Sequence, residues 1–241
     1  MSSIIQQAII QLRSEEYETW IQGWRTLFFL RDPSAVEELL AALNDAHARV
    51  RETAVIALGQ IPDSRSTEPL ITVLDDPIDE VSSHAAWALA EIGDKRAVEP
   101  IIRALNKPNC VDTQRLAIKA LAKLGDNRAV EPLIDLLRRT YISHVATILG
   151  NMGDCRAVEP LIQLLSAEAD GKEYGNQNLS FRYYSVRALG KLGDLRALPL
   201  LEKIVEQETQ PLLKRKSVSD MAKIAISRIQ DNKTQAELSA A

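Results

Sequence analysis

Eight residues of this 241-residue sequence join recognition-capable side chains to a common spacing: His84, Trp87, Lys119, Lys123, His144, Tyr184, Arg187 and Lys191. On a helix turning about 100° per residue, steps of three, four and seven keep side chains within a stripe about 40° wide. Trp87 and Tyr184 offer flat ring faces, and Lys119, Lys123, Arg187 and Lys191 are cations. Such a set suits a conjugated anion, whose rings stack on aromatics and whose carboxylates pair with the cations, and it suits an acidic protein surface equally. The competing reading has Trp87 filling space between helices and the lysines simply solvated. Ile56, Lys119 and Thr147 stand where Trp87 does in other copies of the same helix, so the core does not require an aromatic there. The stripe also runs through Gln60, Glu91 and Asn151.

Several other chemistries are set aside. No Ser-His-Asp grouping, phosphate loop or paired-carboxylate motif is recognisable, so no catalytic residue is assigned. His84 and His144 occupy matching helical positions two repeats apart with Leu116 between them, too far apart to share a metal ion, and no metal is expected. The two cysteines, Cys110 and Cys155, fall in different repeats, which is no disulfide framework and suits a reducing compartment. Cys155 replaces Lys95 and Asn127 of neighbouring copies and is expected to be exposed; Cys110 precedes a helix and is expected to be buried.

The elements that must position the stripe follow from a repeated heptapeptide. Asp94-Lys95-Arg96-Ala97-Val98-Glu99-Pro100 returns at Asp126 and Asp154, with degenerate copies at Asp32, Asp63 and Asp194, in steps of 31, 31, 32, 28 and 40 residues. A period near 30 signals stacked supersecondary units, each unable to bury its apolar face alone. Each unit reads as two helices. Asp94 caps the first, and Val98, Ile101, Ile102 and Leu105 give it a buried face. Pro100 costs a hydrogen bond inside a helix, so this helix starts late or bends there, as at Pro69, Pro132 and Pro160. Asn106 to Asn109 break the chain, and the spacing predicts a second helix from Val111 to Leu124, ended by Gly125.

A recurring small-residue–leucine pair (Ala57-Leu58, Ala88-Leu89, Ala120-Leu121, Ala188-Leu189 and more degenerate copies) marks seven second helices. The first unit begins with a helix from Ser3 to Leu12, and Trp20 and Trp24 are expected to pack the end that no preceding repeat covers. Residues 169–178 read as an inserted loop and 231–241 as a frayed tail. The expected fold is an all-α, right-handed superhelical solenoid of about seven helix pairs, a single body over 1–230.

Composition agrees. Hydrophobic residues make up 46% of the chain and aromatics only 5%, so Ala, Leu, Ile and Val fill the core. The net charge of −4 argues against general nucleic-acid binding, which needs a basic surface. No long apolar run or basic leader is evident, so neither membrane insertion nor export is expected, and the location is read as cytoplasmic.

The stretches Val50 to Gly59 and Ala120 to Ile134 carry a Val-Arg-x-x-Ala-x-x-Ala-Leu-Gly and Leu-Gly-Asp-x-Arg-Ala-Val-Glu-Pro-Leu-Ile pattern. This pattern resembles the HEAT-like repeats of phycobilisome lyases, and Phe181 to Gly190 is similar to a segment of their E-type subunits. The resemblance implies a solenoid whose second helices line the concave face. It also implies the work of its members, which include paired E and F subunits that attach phycobilins to phycobiliprotein cysteines and relatives acting in phycobilisome degradation. On that footing the partner is a phycobiliprotein subunit or another HEAT-like subunit, and a phycocyanobilin-type bilin is held transiently. The substrate's cysteine thiolate is then the nucleophile and the protein acts by positioning. The alternative is a protein-interaction scaffold with no pigment ligand. Deoxyhypusine hydroxylases are HEAT-like too, but hold iron with His-Glu dipeptides. Here His47, His84 and His144 precede Ala48, Ala85 and Val145, and that site is not expected.

Overall fold

A computed structural model describes residues 2–108, 110–140, 142–169, 178–207 and 217–240. The chain divides into two compact units, Met1–Asp126 and Asn127–Ala241. Among the described residues the regular structure is helical throughout. The N-terminal unit holds four helix pairs: α1 (Ser2–Leu12) with α2 (Tyr17–Phe28), α3 (Val36–Ala42) with α4 (Ala48–Gly59), α5 (Thr67–Val73) with α6 (Asp79–Ile92), and α7 (Val98–Leu105) with α8 (Val111–Leu124). The C-terminal unit holds three: α9 (Val130–Thr140) with α10 (Ser143–Met152), α11 (Val158–Ala169) with α12 (Asn178–Leu192), and α13 (Leu198–Gln207) with α14 (Val218–Ala240).

The heptapeptide explains how each pair is joined to the next. Asp32, Asp63, Asp94, Asp154 and Asp194 each accept the backbone N–H two residues on, capping a short 3-10 turn rather than the α-helix itself. After Asp94 the α-helix begins only at Val98. Pro100 is therefore its third residue, inside the first turn, where an N–H has no intrahelical acceptor to lose. The late start removes the cost, and no bend is needed. The arginine of the motif folds back on its own aspartate and reaches the glutamate of the preceding copy. Arg65 donates to Glu37 at 2.7 Å, and Arg96 to Glu68 at 3.0 Å. In the C-terminal unit Arg156 donates to Asp154 at 2.7 Å and to the Asn127 carbonyl at 2.9 Å. Arg96, with its own backbone N–H, holds the Asp94 carboxyl down to about 2 from its ordinary 3.8.

Between repeats, the second helices meet along small residues. A Cβ built on Gly150 would lie 2.7 Å from the Ala188 Cα, and one on Gly59 2.8 Å from the Ala88 Cβ. The leucines beside these seams (Leu58, Leu89, Leu121, Leu149, Leu189) are at most 1% exposed. Gly125 ends α8 at φ 60°, the left-handed cap that glycine adopts at little cost.

Two local expectations are corrected, and a third falls outside the described residues. Residues 231–240 are not a frayed tail but the end of α14, exposed along 231–239 and continuing a helix anchored at Ala222, Ala225 and Ile229. Cys110 is half-buried at the start of α8, not buried; Cys155 is exposed, as expected. Of the insertion at 169–178, residues 170–177 lie outside the described residues.

Candidate functional site

In the N-terminal unit the stripe predicted on the second helices is continuous with a row of rings on α2. Trp20, Trp24 and Phe28 follow one another at four-residue steps, one turn apart on one face. Trp24 stacks on Phe28 at 4.5 Å between centroids, and Tyr17 meets Trp20 at 5.6 Å. The neighbouring α4 sets the Arg49 guanidinium 5.6 Å from the centre of the Trp20 ring. Between α2 and α4 lies an open pocket of about 340 Å³, lined by Trp20, Ile21, Trp24, Arg49, Glu52 and Thr53. A second, of about 500 Å³, is lined by Phe28, Arg31, Gln60, Trp87 and Glu91 among others. Trp20 and Trp24 are therefore half-buried pocket walls, not the packing of an uncovered end.

Cross-helix pairs lace this face. Arg31 donates to Gln60 at 2.9 Å, Lys123 pairs with Glu91 at 2.5 Å, and His84 Nδ1 lies 3.2 Å from Glu52 and 2.8 Å from the Glu80 carbonyl. The Glu52 carboxylate, backed by that carbonyl, raises the His84 pKa above its ordinary 6.5 against the opposing effect of burial. Trp87 is half-buried, its ring edge against Gly59.

The eight expected residues thus fall into two groups with different partners. The structure brings His84, Trp87 and Lys123 onto the packed face of α4, α6 and α8, each in contact with a neighbouring helix. Lys119 stands exposed on α8. In the C-terminal unit His144 is exposed, while Tyr184 and Arg187 are half-buried. Tyr184 meets Tyr183 edge-on at 5.4 Å, and Lys191 donates to Asn151. The free basic patch expected of four cations shrinks, because Lys123 and Lys191 are committed to neighbours and Lys119 and Arg187 belong to different units.

Spacing puts Arg49 on the stripe with Thr53, Ile56 and Gln60, but does not single out Trp20, Trp24, Phe28 or Glu52 as binding residues. The signal available was the four-residue step of rings on α2, which was assigned to packing. Among the described residues no group of three His, Cys, Asp or Glu could hold a metal ion, and no helix is long and apolar enough to cross a membrane.

With this geometry in place, comparison with known proteins is decisive for the family. The model of HEAT repeats matches residues 5–81 and 67–141, more than half of the chain. The chain is a HEAT-repeat protein. One further repeat, residues 181–207, matches the PBS lyase HEAT-like repeat and contains the Phe181 to Gly190 segment singled out above. This HEAT-repeat protein is similar in fold to the complex of CpcE and CpcF of phycocyanin lyase from Nostoc sp. PCC7120, at 20% identity and TM-score 0.50, covering 94% of each chain. It is also similar to an engineered protein, at 20% identity and TM-score 0.56, covering 94% of this chain and 68% of the other. No curated protein matches it in sequence. The all-α repeat-solenoid fold expected from the heptapeptide is thereby established.

Proposed function

We propose that this HEAT-repeat protein handles a phycobiliprotein, binding the subunit or its bilin on the ring-lined face of α2, α4 and α6 and acting by positioning rather than by acid–base chemistry. The observation that carries the reading is the row of Trp20, Trp24, Phe28 and Trp87 around two open pockets. Surface rings grouped in this way, with arginines among them, are the composition of a binding face rather than of a solvated one. The PBS lyase repeat at 181–207 and the fold shared with a phycocyanin lyase complex support the choice of partner. The experiment is capture of phycobiliprotein subunits, with and without their bilin, by the full chain and by Trp24→Ala and Trp87→Ala variants of checked stability. Capture lost in folded variants is the expected result. Failure of the wild-type chain to retain any phycobiliprotein, or to acquire a visible absorption band on co-expression with a bilin-synthesising pathway, removes the pigment reading and leaves a protein-interaction scaffold.

A further inference from the structure

Arg49 differs from Arg13 and Arg51 beside it and from the arginines of the repeated turns. Arg13, Arg51, Arg65 and Arg96 each donate to a carboxylate. Arg49 instead makes a long contact, 3.5 Å, to the Ser14 carbonyl and lies over the Trp20 ring. It walls two pockets, the 340 Å³ one with Trp24 and a smaller one of about 180 Å³ with Glu15 and Tyr17. Beneath it, the Trp20 Nε1–H is buried and has no hydrogen-bond partner. A guanidinium without a carboxylate and the ring of a tryptophan whose buried N–H has no acceptor therefore line one cavity. Both needs are met by the same chemical group, since a carboxylate accepts the arginine fork through two oxygens and has lone pairs left over. A buried donor left unmet is costly, which favours the ring turning toward an acceptor brought to it. The competing negative charge in the larger pocket is Glu52, and His84 faces it at 3.2 Å. Glu15 lines the smaller pocket and not the larger one.

We propose that Arg49 and Trp20 form a carboxylate anchor for a ligand with a flat or apolar body. The guanidinium grips the carboxylate, the Trp20 N–H turns to one of its oxygens, and the body lies along Trp24 and Ile21 in the larger pocket. The carboxylate comes from a bilin propionate or from an acidic side chain beside an aromatic one in a peptide. The inference deepens the function proposed above and rests on it for the choice of probe.

The test uses the full chain, labelled so that the indole N–H signals of Trp20, Trp24 and Trp87 are resolved, with Trp20→Phe assigning the first. Biliverdin, its dimethyl ester and a short Glu-Phe-containing peptide are titrated separately. Biliverdin is expected to move the Trp20 signal, and esterification or Arg49→Gln to weaken binding by about tenfold or more, with Arg49→Lys intermediate because it keeps charge but loses the fork. Arg49 is exposed and lightly bonded, so thermal unfolding of these variants should match the wild type. Equal binding of biliverdin and its ester, or unchanged binding by Arg49→Gln, overturns the anchor. Arg49-dependent binding of the peptide alone supports the anchor with a protein carboxylate as its ligand. Phycobiliprotein capture that persists in Arg49→Gln, with a Trp20 signal that no probe moves, overturns the anchor and leaves the proposed function standing.

Discussion

The heptapeptide turns and the second-helix stripe come from the same repeat, yet they use their polar side chains in opposite ways. In the turns the aspartate and arginine are copied from repeat to repeat, and they close on each other: Asp94 takes the Arg96 backbone and guanidinium, and Arg96 reaches Glu68 of the preceding copy. In the stripe the residue changes at every step, and side chains are left facing pockets. What is repeated has satisfied itself; what varies is satisfied only in part, since Lys123, Lys191 and His84 pair across helices while Trp87 walls a pocket. Copied charges are also half-exposed, and exposed pairs contribute only about 0–1 kcal/mol each. Their effect is to set the register of one repeat on the next more than to add stability.

That contrast can be broken most forcefully on α6, where a copied and a variable residue stand two apart. Leu89→Ala removes a fully buried side chain and is expected to destabilise by about 2–5 kcal/mol in denaturant unfolding. Trp87→Ala is expected to cost less than the about 3–5 kcal/mol of a buried tryptophan, since the ring is half-buried with one edge on Gly59, while capture of the partner is lost. Equal losses of stability would place Trp87 with the core.

The seam between second helices gives the next largest effect. Gly150→Ala is expected to destabilise by about 1–3 kcal/mol despite alanine's better helix propensity, because the added methyl meets the Ala188 backbone. A stabilised variant would show that α10 and α12 separate at little cost.

Loss of a copied cap should be milder. Asp94→Ala is expected to cost about 0.5–2 kcal/mol by thermal or chemical unfolding. Because the Asp94 pKa is lowered, its contribution is present above the ordinary 3.8 and is lost as pH falls toward about 2. The gap between wild type and variant should therefore close in acid.

The smallest effect belongs to the stripe. The His84 pKa is raised, so its pairing with Glu52 contributes fully below 6.5 and fades as pH climbs through the raised folded value. His84→Gln should differ from wild type most at mildly acidic pH and least at alkaline pH, measured as unfolding midpoint against pH. A difference independent of pH would make His84 a packing residue only.

Much of the fold was legible in local residues. The second helix of the fourth repeat was placed at Val111–Leu124, the observed span of α8, because a turn at its start and Gly125 at its end are local signals. The tail was misread for a related reason. Residues 231–240 are polar, but a helix already anchored by Ala225 and Ile229 extends through its own backbone bonds and needs no further apolar face.

The binding face was legible only in outline. Spacing alone put Gln60, Glu91 and Asn151 on the stripe with the cations. It could not say that Glu91 and Asn151 take up Lys123 and Lys191, since both pairings join residues 32 and 40 positions apart. Trp20 and Trp24 show the limit most clearly. Their four-residue step fixes a common helix face, and the same step serves a core or a pocket wall. The sequence determined the helix pairs, their order and their seams, because caps, breaks and periodicity act over a few residues. Which ring is covered and which lines a cavity was decided only by tertiary structure, because that depends on what the next helix sets opposite: Arg49 and Glu52 beside Trp20 and Trp24, where a leucine would have closed the space.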